Sequence, residues 1–162
     1  MGLLTMALSQ ARIRGMKSDY LINETEYYRL VHSDECAVTG YLILFAKPRA
    51  HSIMELPMPA VMELGRMLQQ ATAAISSVIK PQRIYCCSVG ELMPQVHFHL
   101  FPRTQQLAEE YLANHPQDIN GINGFQLLDW AKKTFVGTLD RQTLVSTIAE
   151  LKSSYNNSVI AN

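Results

Sequence analysis

The stretch that decides the predicted fold and the candidate site reads Gln95-Val96-His97-Phe98-His99-Leu100-Phe101-Pro102-Arg103. In a β-strand, successive side chains project from opposite faces, so every second residue shares a face. The side chains expected on one face are therefore Gln95, His97, His99 and Phe101. Along that face the neighbours are about 6–7 Å apart. The stretch predicts a strand, ending before Pro102, that presents an amide and two imidazoles on a rigid element.

Three interpretations of this His-x-His pattern stay open from the residues alone. The simplest is a pair of satisfied or exposed histidines without a chemical role. A metal pair is the second, because alternate histidines on a strand can both bind zinc or iron. His51 is the one nearby candidate for a third ligand. A nucleophile with an acid–base partner is the third, because imidazole reacts near neutral pH.

The sequence on the N-terminal side of this strand predicts further strands and one long helix. Residues 27–32, 41–46 and 84–89 have strand composition, and residues 37–39 are a shorter candidate. The run 41–46 is apolar throughout, as in a central strand covered on both faces. Between Pro59 and Pro81 an apolar stripe predicts a core helix, and its members are Val61, Leu64, Leu68, Ala71, Ile75 and Val78. This order of elements predicts an α+β domain.

The flanking regions carry weaker signals. Residues 120–124 form a turn cluster, and Asp140 is expected to cap a helix. The apolar positions of that helix are Leu144, Ile148 and Leu151. Residues 3–17 have mildly helical composition and are expected to lie outside the core.

Composition limits the kinds of partner that the protein can bind. The 162 residues include 14 Lys and Arg against 14 Asp and Glu, and 48% are apolar. A chain without net charge is a poor general ligand for nucleic-acid backbone, so an anionic substrate needs a local site. No apolar run approaches the roughly 20 residues of a membrane helix, and no signal peptide is expected. The three cysteines are expected to be reduced thiols, which favours the cytoplasm.

The stretch and its surroundings resemble the histidine-triad family of nucleotide hydrolases and transferases. The family signature is His-φ-His-φ-His-φ-φ, where φ is apolar, often followed by Pro-Arg, and here Gln95 stands in place of the first His. A bacterial branch is similar, and its Gly-Asn-x-x-Pro-Gln-φ-His-φ-His run corresponds to residues 90–99. Residues 39–51 look like the family's Gly-His-φ-φ-φ-φ-Pro-Lys-Arg-His strand. The resemblance covers about residues 27–103.

The resemblance implies a fold and an assembly. The family has an antiparallel sheet of five strands with one long helix, and two protomers commonly join into a ten-stranded sheet. We therefore expect an N-terminal extension over residues 1–20 and a histidine-triad-like core over residues 21–106. Residues 107–162 would be a C-terminal extension packed on that core. A homodimer is the expected assembly.

The resemblance also implies a function and a set of site residues. The expected substrate is a nucleoside α-phosphate in a phosphoramidate, an adenylate or a dinucleoside polyphosphate. His97 would be the nucleophile that forms a nucleotidyl-histidine, and His99 would bind the phosphate or protonate the leaving group. The residues expected to bind substrate are Gln95, Gly90, His51 and Arg103. No metal ligand and no firm cofactor is implied, although a divalent cation can accompany the substrate.

Three departures from the family pattern favour a second hypothesis, a nucleotide-binding protein with little or no catalysis. Gln95 cannot titrate, so the first histidine's proton-relay role is lost, although an amide can still donate to a phosphate. Tyr41 stands where many members carry an additional His behind the nucleophile. Glu91 stands where the related branch has Asn, and a carboxylate beside a phosphate would repel it. A metal-dependent His-x-His site is the remaining alternative. His32 and His115 are expected to be structural or exposed.

Overall fold

The computed structural model describes residues 18–89 and 93–160, which contain five strands and four α-helices. The strands are β1 (Leu21–Glu24), β2 (Tyr28–His32), β3 (Leu42–Ala46), β4 (Arg83–Cys87) and β5 (His97–Arg103). The helices are α1 (Met58–Ile79), α2 (Gln105–Asn114), α3 (Gly124–Thr134) and α4 (Arg141–Ile160). Short 3-10 segments cover Ser18–Tyr20, Ile53–Glu55 and Pro116–Asp118. The predicted α+β fold, with five strands and a long helix, is confirmed.

The strands form one antiparallel sheet in the order β1-β2-β3-β5-β4. β5 lies between β3 and β4, so the strand that carries the histidines is internal. His97 is opposite Phe45 and His99 is opposite Ile43 on β3. On the other side His99 is opposite Cys87 of β4. Because opposed residues of antiparallel strands share a face, these five side chains lie on one face of the sheet.

Four of the five strands agree with the sequence to within two residues at either end. The sequence pattern does not predict β1, because Leu21–Glu24 is short and half polar. The expected strand at residues 37–39 is wrong: the Tyr41 N–H donates to the Val38 carbonyl at 3.2 Å, which makes the segment a turn. β5 also continues through Pro102, which lies opposite Ile84. Pairing with β3 ends at Leu100, so the missing N–H of Pro102 removes no ladder bond on that side.

The long helix α1 covers the sheet face opposite to the histidines. The hydroxyl of Tyr28, on that face, donates to the carbonyl of Ala60 at 2.9 Å. The buried residues of α1 are Ala60, Leu64, Met67, Gln70, Ala71, Ala74 and Ile75. The predicted stripe is correct at its centre, whereas Val61, Leu68 and Val78 are only half-buried at its margin. The prediction of a core helix is confirmed.

A glycine just before β3 packs closely against the last residue of α1. Gly40 has φ +78°, a conformation that favours glycine. A Cβ at this position would overlap the side chain of Ile79, the last residue of α1. Both constraints require glycine immediately before Tyr41.

The C-terminal helices lie on both sides of the sheet. α4 packs against α1 and β1, and the Tyr155 hydroxyl lies 3.1 Å from the Met67 sulfur. α3 lies on the histidine face. Its first residue, Gly124, is against the ring of Tyr85 on β4, and its last turns lie near Cys36, whose thiol donates to the Ala131 carbonyl at 3.5 Å. The region that follows β5 therefore covers the histidine side of the sheet.

The weak C-terminal signals were partly correct. The cap at Asp140 is confirmed, because its carboxylate accepts from the Thr143 N–H at 3.0 Å. The expected apolar positions of that helix are buried, and they are Leu144, Ile148 and Leu151. The sequence patterns do not predict α2 or α3. Part of the predicted turn cluster begins α3, where the Asn123 side chain caps the N–H groups of Phe125 and Gln126.

Buried apolar side chains from Tyr20 to Tyr155 belong to one continuous core cluster. The proposed boundaries at residues 20 and 106 remain predictions, and the helical segment expected at residues 3–17 lies outside the described residues. None of the helices in the described part of the chain is long and apolar enough to cross a membrane.

Candidate active site

The predicted alternation on β5 brings His97 and His99 together on one face. Their side chains are only 5% and 7% exposed. The two Nε2 atoms are 3.1 Å apart, within hydrogen-bonding distance. The ring of Phe45 stacks on His97 with centroids 5.7 Å apart. The neighbouring strand thus fixes the plane of the first imidazole.

The Nδ1 atom of His97 is 2.8 Å from the carbonyl oxygen of Gln95. A carbonyl only accepts hydrogen bonds, so Nδ1 of His97 carries the proton in this contact. In a neutral imidazole, the lone pair then lies on Nε2. The main-chain carbonyl therefore leaves Nε2, the nitrogen that a nucleophile would use, with its lone pair directed toward His99.

The Gln95 side chain is hydrogen-bonded to the end of β3 and to the loop that follows it. Its amide nitrogen donates to the carbonyl of Ala46 and, at 3.2 Å, to that of Pro48. The Val96 N–H donates to the Ala50 carbonyl at 2.9 Å, and the Ala46 N–H donates to the Val96 carbonyl at 3.0 Å. Both N–H groups of the amide are therefore directed at protein carbonyls. Donation to a phosphate, as the sequence predicts, would have to replace one of these bonds.

Tyr41 contacts His99 on the side away from His97. Its hydroxyl is 2.7 Å from Nδ1 of His99, and its ring contacts Phe101 edge-on with centroids 5.1 Å apart. The sequence suggested that this position lies behind the nucleophile. In the structure its hydroxyl contacts His99 and not His97. Tyr41 is fully buried, and burial raises the pKa of its hydroxyl above the ordinary value.

The electrostatic surroundings of His99 disfavour its protonation. Burial, followed by the neighbouring His97 and by Lys132, lowers the pKa of His99 to about 3. Lys132 belongs to α3, about thirty residues further along the chain. No sequence pattern indicated this contribution, because it depends on how α3 packs over the sheet.

The other predicted substrate contacts are distributed more widely. Gly90 and the divergent Glu91 lie outside the described residues. His51 is exposed, and its backbone N–H donates to the Glu55 carboxylate at 2.9 Å. Arg103 shares the face of the histidines, but at about 3.3 Å per residue it is about 20 Å along β5 from His97. Its guanidinium lies 3.4 Å from the Tyr85 hydroxyl. These roles remain predictions.

The two remaining histidines make structural contacts. His32 is buried, its Nδ1 donates to the Ser33 carbonyl at 2.9 Å, and its Nε2 accepts from the Gly40 N–H at 3.0 Å. His115 stacks on the ring of Tyr111 with centroids 4.3 Å apart. Among the described residues, no group of three His, Cys, Asp or Glu side chains is placed to hold a metal ion.

Solved structures of histidine-triad proteins are similar to this fold. A hypothetical histidine triad nucleotide-binding protein from Sulfolobus tokodaii has a TM-score of 0.65 and 12% identity, covering 93% of this chain and 92% of its own. A histidine triad protein from Bradyrhizobium japonicum has a TM-score of 0.61 and 17% identity, covering 83% and 89%. A zinc-bound histidine triad family protein from Mycobacterium smegmatis has a TM-score of 0.61 and 14% identity, covering 98% and 99%.

These similarities extend over nearly the whole chain, so the described fold is that of the histidine-triad proteins. The fold that the resemblance implied is thereby confirmed. No protein-family profile matches the sequence, and no curated protein is significantly similar to it. At such low identity the comparisons establish the architecture, and the chemistry has to be argued from the site.

Proposed function

We propose that the protein is a nucleotide hydrolase or nucleotidyl transferase that acts on a nucleoside α-phosphate through an intermediate on His97. The observation that carries this proposal is the 2.8 Å contact between Nδ1 of His97 and the Gln95 carbonyl. It gives a buried imidazole with its lone pair on Nε2, beside a second imidazole that can donate to a bound phosphate. A neutral imidazole of this kind is a competent nucleophile at neutral pH.

The reaction proceeds in two displacements at phosphorus. Nε2 of His97 forms a bond to the α-phosphorus, and the bond to the leaving group breaks with its electron pair. The leaving group takes a proton from solvent. His97 keeps its proton on Nδ1, which donates to the Gln95 carbonyl throughout. A water oxygen then displaces Nε2, and the proton that water loses returns to solvent. Over both steps one water is consumed and the imidazole is restored.

The expected substrates are phosphoramidates, adenylates or dinucleoside polyphosphates of a nucleoside. A divalent cation can accompany such a substrate. The absence of net charge is compatible with this class, because the phosphate would be held by hydrogen bonds at one site rather than by a basic surface. Gln95 would act mainly through its backbone carbonyl.

Binding without turnover is the second candidate function, and the burial of the site favours it. Both imidazoles are more than nine-tenths buried, and the Gln95 amide donors already bond to protein carbonyls. A phosphate can reach Nε2 of His97 only if the His97–His99 contact opens. If that opening is rare, the protein would hold a nucleotide and rarely modify it.

The decisive experiment is incubation with an adenosine phosphoramidate, followed by intact-mass and peptide mass spectrometry. We expect release of AMP and an AMP adduct on His97. His97→Ala should lose the adduct and reduce turnover by about a thousandfold or more. The matched control is His115→Gln, which removes a half-buried histidine outside the site and should keep both.

Each other outcome is informative. Normal turnover by His97→Ala would contradict the proposal. Stoichiometric AMP binding with neither hydrolysis nor adduct would support the second candidate. Activity that a chelator abolishes and zinc restores would instead favour the metal-dependent alternative.

We also propose a homodimer in the cytoplasm. In the described sheet order β4 is a terminal strand, so β4 of a second copy could pair with it to give ten strands. The thiols of Cys36, Cys86 and Cys87 are free, which suits a reducing compartment. A molar mass in solution equal to that of two chains would support the dimer, and the mass of one chain would contradict it.

A further inference from the structure

Tyr41, the histidines and Gln95 form one continuous hydrogen-bond chain. The Tyr41 hydroxyl contacts Nδ1 of His99 at 2.7 Å, and Nε2 of His99 contacts Nε2 of His97 at 3.1 Å. Nδ1 of His97 contacts the Gln95 carbonyl at 2.8 Å. Two of the three positions that depart from the family pattern, Tyr41 and Gln95, therefore lie at the ends of this hydrogen-bond chain, Gln95 through its main-chain carbonyl.

The carbonyl at one end determines the direction of every bond. Because it can only accept, Nδ1 of His97 donates, and Nε2 of a neutral His97 has no proton. The proton between the two imidazoles then belongs to Nε2 of His99. A neutral His99 carries one proton, so its Nδ1 must accept from the Tyr41 hydroxyl. A phenol can both donate and accept, which allows it to close the chain.

The surroundings hold the Tyr41 hydroxyl in this place. Tyr41 is fully buried, and its ring lies edge-on to Phe101. Its N–H donates to the Val38 carbonyl at 3.2 Å, and its carbonyl accepts from the Ser33 N–H at 2.8 Å. Contacts on both the main chain and the ring thus fix the phenol that meets His99.

We propose that Tyr41 is a positioning residue that sets the tautomer of His99, confining its proton to Nε2 where it faces His97. This inference rests on the proposed function, since it assigns His99 as the hydrogen-bond donor to a phosphate bound at His97. His99 keeps its proton throughout, stabilising the charged phosphate oxygens by donation. Without the hydroxyl, Nδ1 of His99 would be a buried acceptor without this donor, and the proton could move to Nδ1.

The direct test is nuclear magnetic resonance of protein labelled with ¹⁵N-histidine, in which long-range proton–nitrogen correlations distinguish the tautomers. At pH 7.5 the wild type should show the Nε2–H form of His99 and the Nδ1–H form of His97. Tyr41→Phe should convert His99 partly or wholly to the Nδ1–H form. Tyr85→Phe is the matched control, because it removes a hydroxyl from the same sheet face and should leave both tautomers unchanged.

Activity supplies a second readout. Tyr41→Phe should lower kcat by about tenfold or more with little change in KM, because His99 in the Nδ1–H form would no longer donate from Nε2 to the phosphate. Tyr41→His, whose imidazole can also donate to Nδ1, should recover part of that loss and the wild-type tautomer.

The wild-type spectrum alone can overturn the inference, even if Tyr41→Phe does not fold. An Nδ1–H form of His99 in the wild type would contradict it, as would an unchanged His99 tautomer in Tyr41→Phe. If the wild type forms no adduct with the phosphoramidate while the tautomers follow the expectation, the proposed function fails and the positioning role of Tyr41 stands.

Discussion

At the scale of single residues, His99 couples the chemistry of the site to the stability of the fold. Burial, followed by the neighbouring His97 and by Lys132, lowers the pKa of its imidazole to about 3 and so favours the neutral form. Burial also lowers the pKa of His32, which lies on the other face of the sheet. Two neutral, buried imidazoles make folding sensitive to acid well above the range in which carboxylates titrate.

We expect the free energy of unfolding to fall as the pH drops from about 6.5 toward 3. An unfolded histidine has a pKa of about 6.5, so below that pH the unfolded chain takes up a proton that folded His99 does not accept. At pH 5 this difference would cost about 2 kcal/mol for His99 alone. Urea unfolding at pH 7.5 and pH 5 measures it.

The effect should be assignable by substitution. His99→Gln should lose less stability between the two pH values than the wild type does, by about 2 kcal/mol. His51→Gln removes an exposed imidazole and is the matched control, which should keep the wild-type pH dependence. An equal loss of stability in His99→Gln and in the wild type would be inconsistent with the lowered pKa of His99.

At the scale of secondary-structure elements, Gln95 connects β5 to the loop that follows β3. Main-chain hydrogen bonds join Val96 to Ala46 and to Ala50, at the two ends of this loop. Between these ends, the Gln95 amide donates to the carbonyls of Ala46 and Pro48. His51 follows directly at the end of this loop. Because an amide does not titrate, Gln95 is a fixed double donor at this point of the fold.

Gln95→Ala should therefore destabilise the protein although it leaves the backbone bond to His97 in place. The carbonyl of Ala46 would lose a donor in a buried setting and that of Pro48 in a half-buried one, which together costs about 1–3 kcal/mol. Chemical denaturation measures the loss. Gln106→Ala, at an exposed position of α2, is the control and should change stability by less than about 0.5 kcal/mol. Equal stability of the two variants would contradict the connecting role.

At the scale of the whole molecule, the region after β5 determines how the histidine face is enclosed. α3 begins against Tyr85 on β4, reaches Cys36 near its other end, and brings Lys132 close enough to affect His99. Part of the lowering of the His99 pKa, after burial and the neighbouring His97, therefore comes from a helix that supplies neither histidine.

Gly124→Ala tests that docking. A Cβ at Gly124 would lie 2.6 Å from the Tyr85 ring, so the ring or the helix must move, at a cost of about 1–3 kcal/mol. Alanine has the better helix propensity by up to about 1 kcal/mol, so a net loss of stability reports the clash. We also expect faster amide hydrogen exchange in α3.

Gly121→Ala is the matched control, because its Cβ would meet nothing within 4 Å. It should leave both the stability and the exchange of α3 near wild type. Unchanged exchange in Gly124→Ala would show that α3 does not depend on its close approach to β4.

The elements that the sequence predicts well are those whose pattern is local. Alternation along residues 95–101 places His97 and His99 on one face, and the 3–4 spacing after Pro59 identifies α1. These patterns follow from the period of a strand and of a helix, so they need no information about distant residues. Local patterns do not predict β1, which is short, or α3, which follows a glycine-containing turn. α3 also packs against residues that are distant in the sequence.

By itself, the sequence determined the histidine strand and the long helix, and its resemblance to the histidine-triad family implied the architecture. Only the tertiary structure decided which atoms meet: the hydroxyl of Tyr41 with His99, the amide of Gln95 with two loop carbonyls, and the charge of Lys132 near the site. The physical reason is one of range. Backbone periodicity acts over a few residues, whereas the direction of a hydrogen bond and the pKa of a buried group depend on groups that folding brings together.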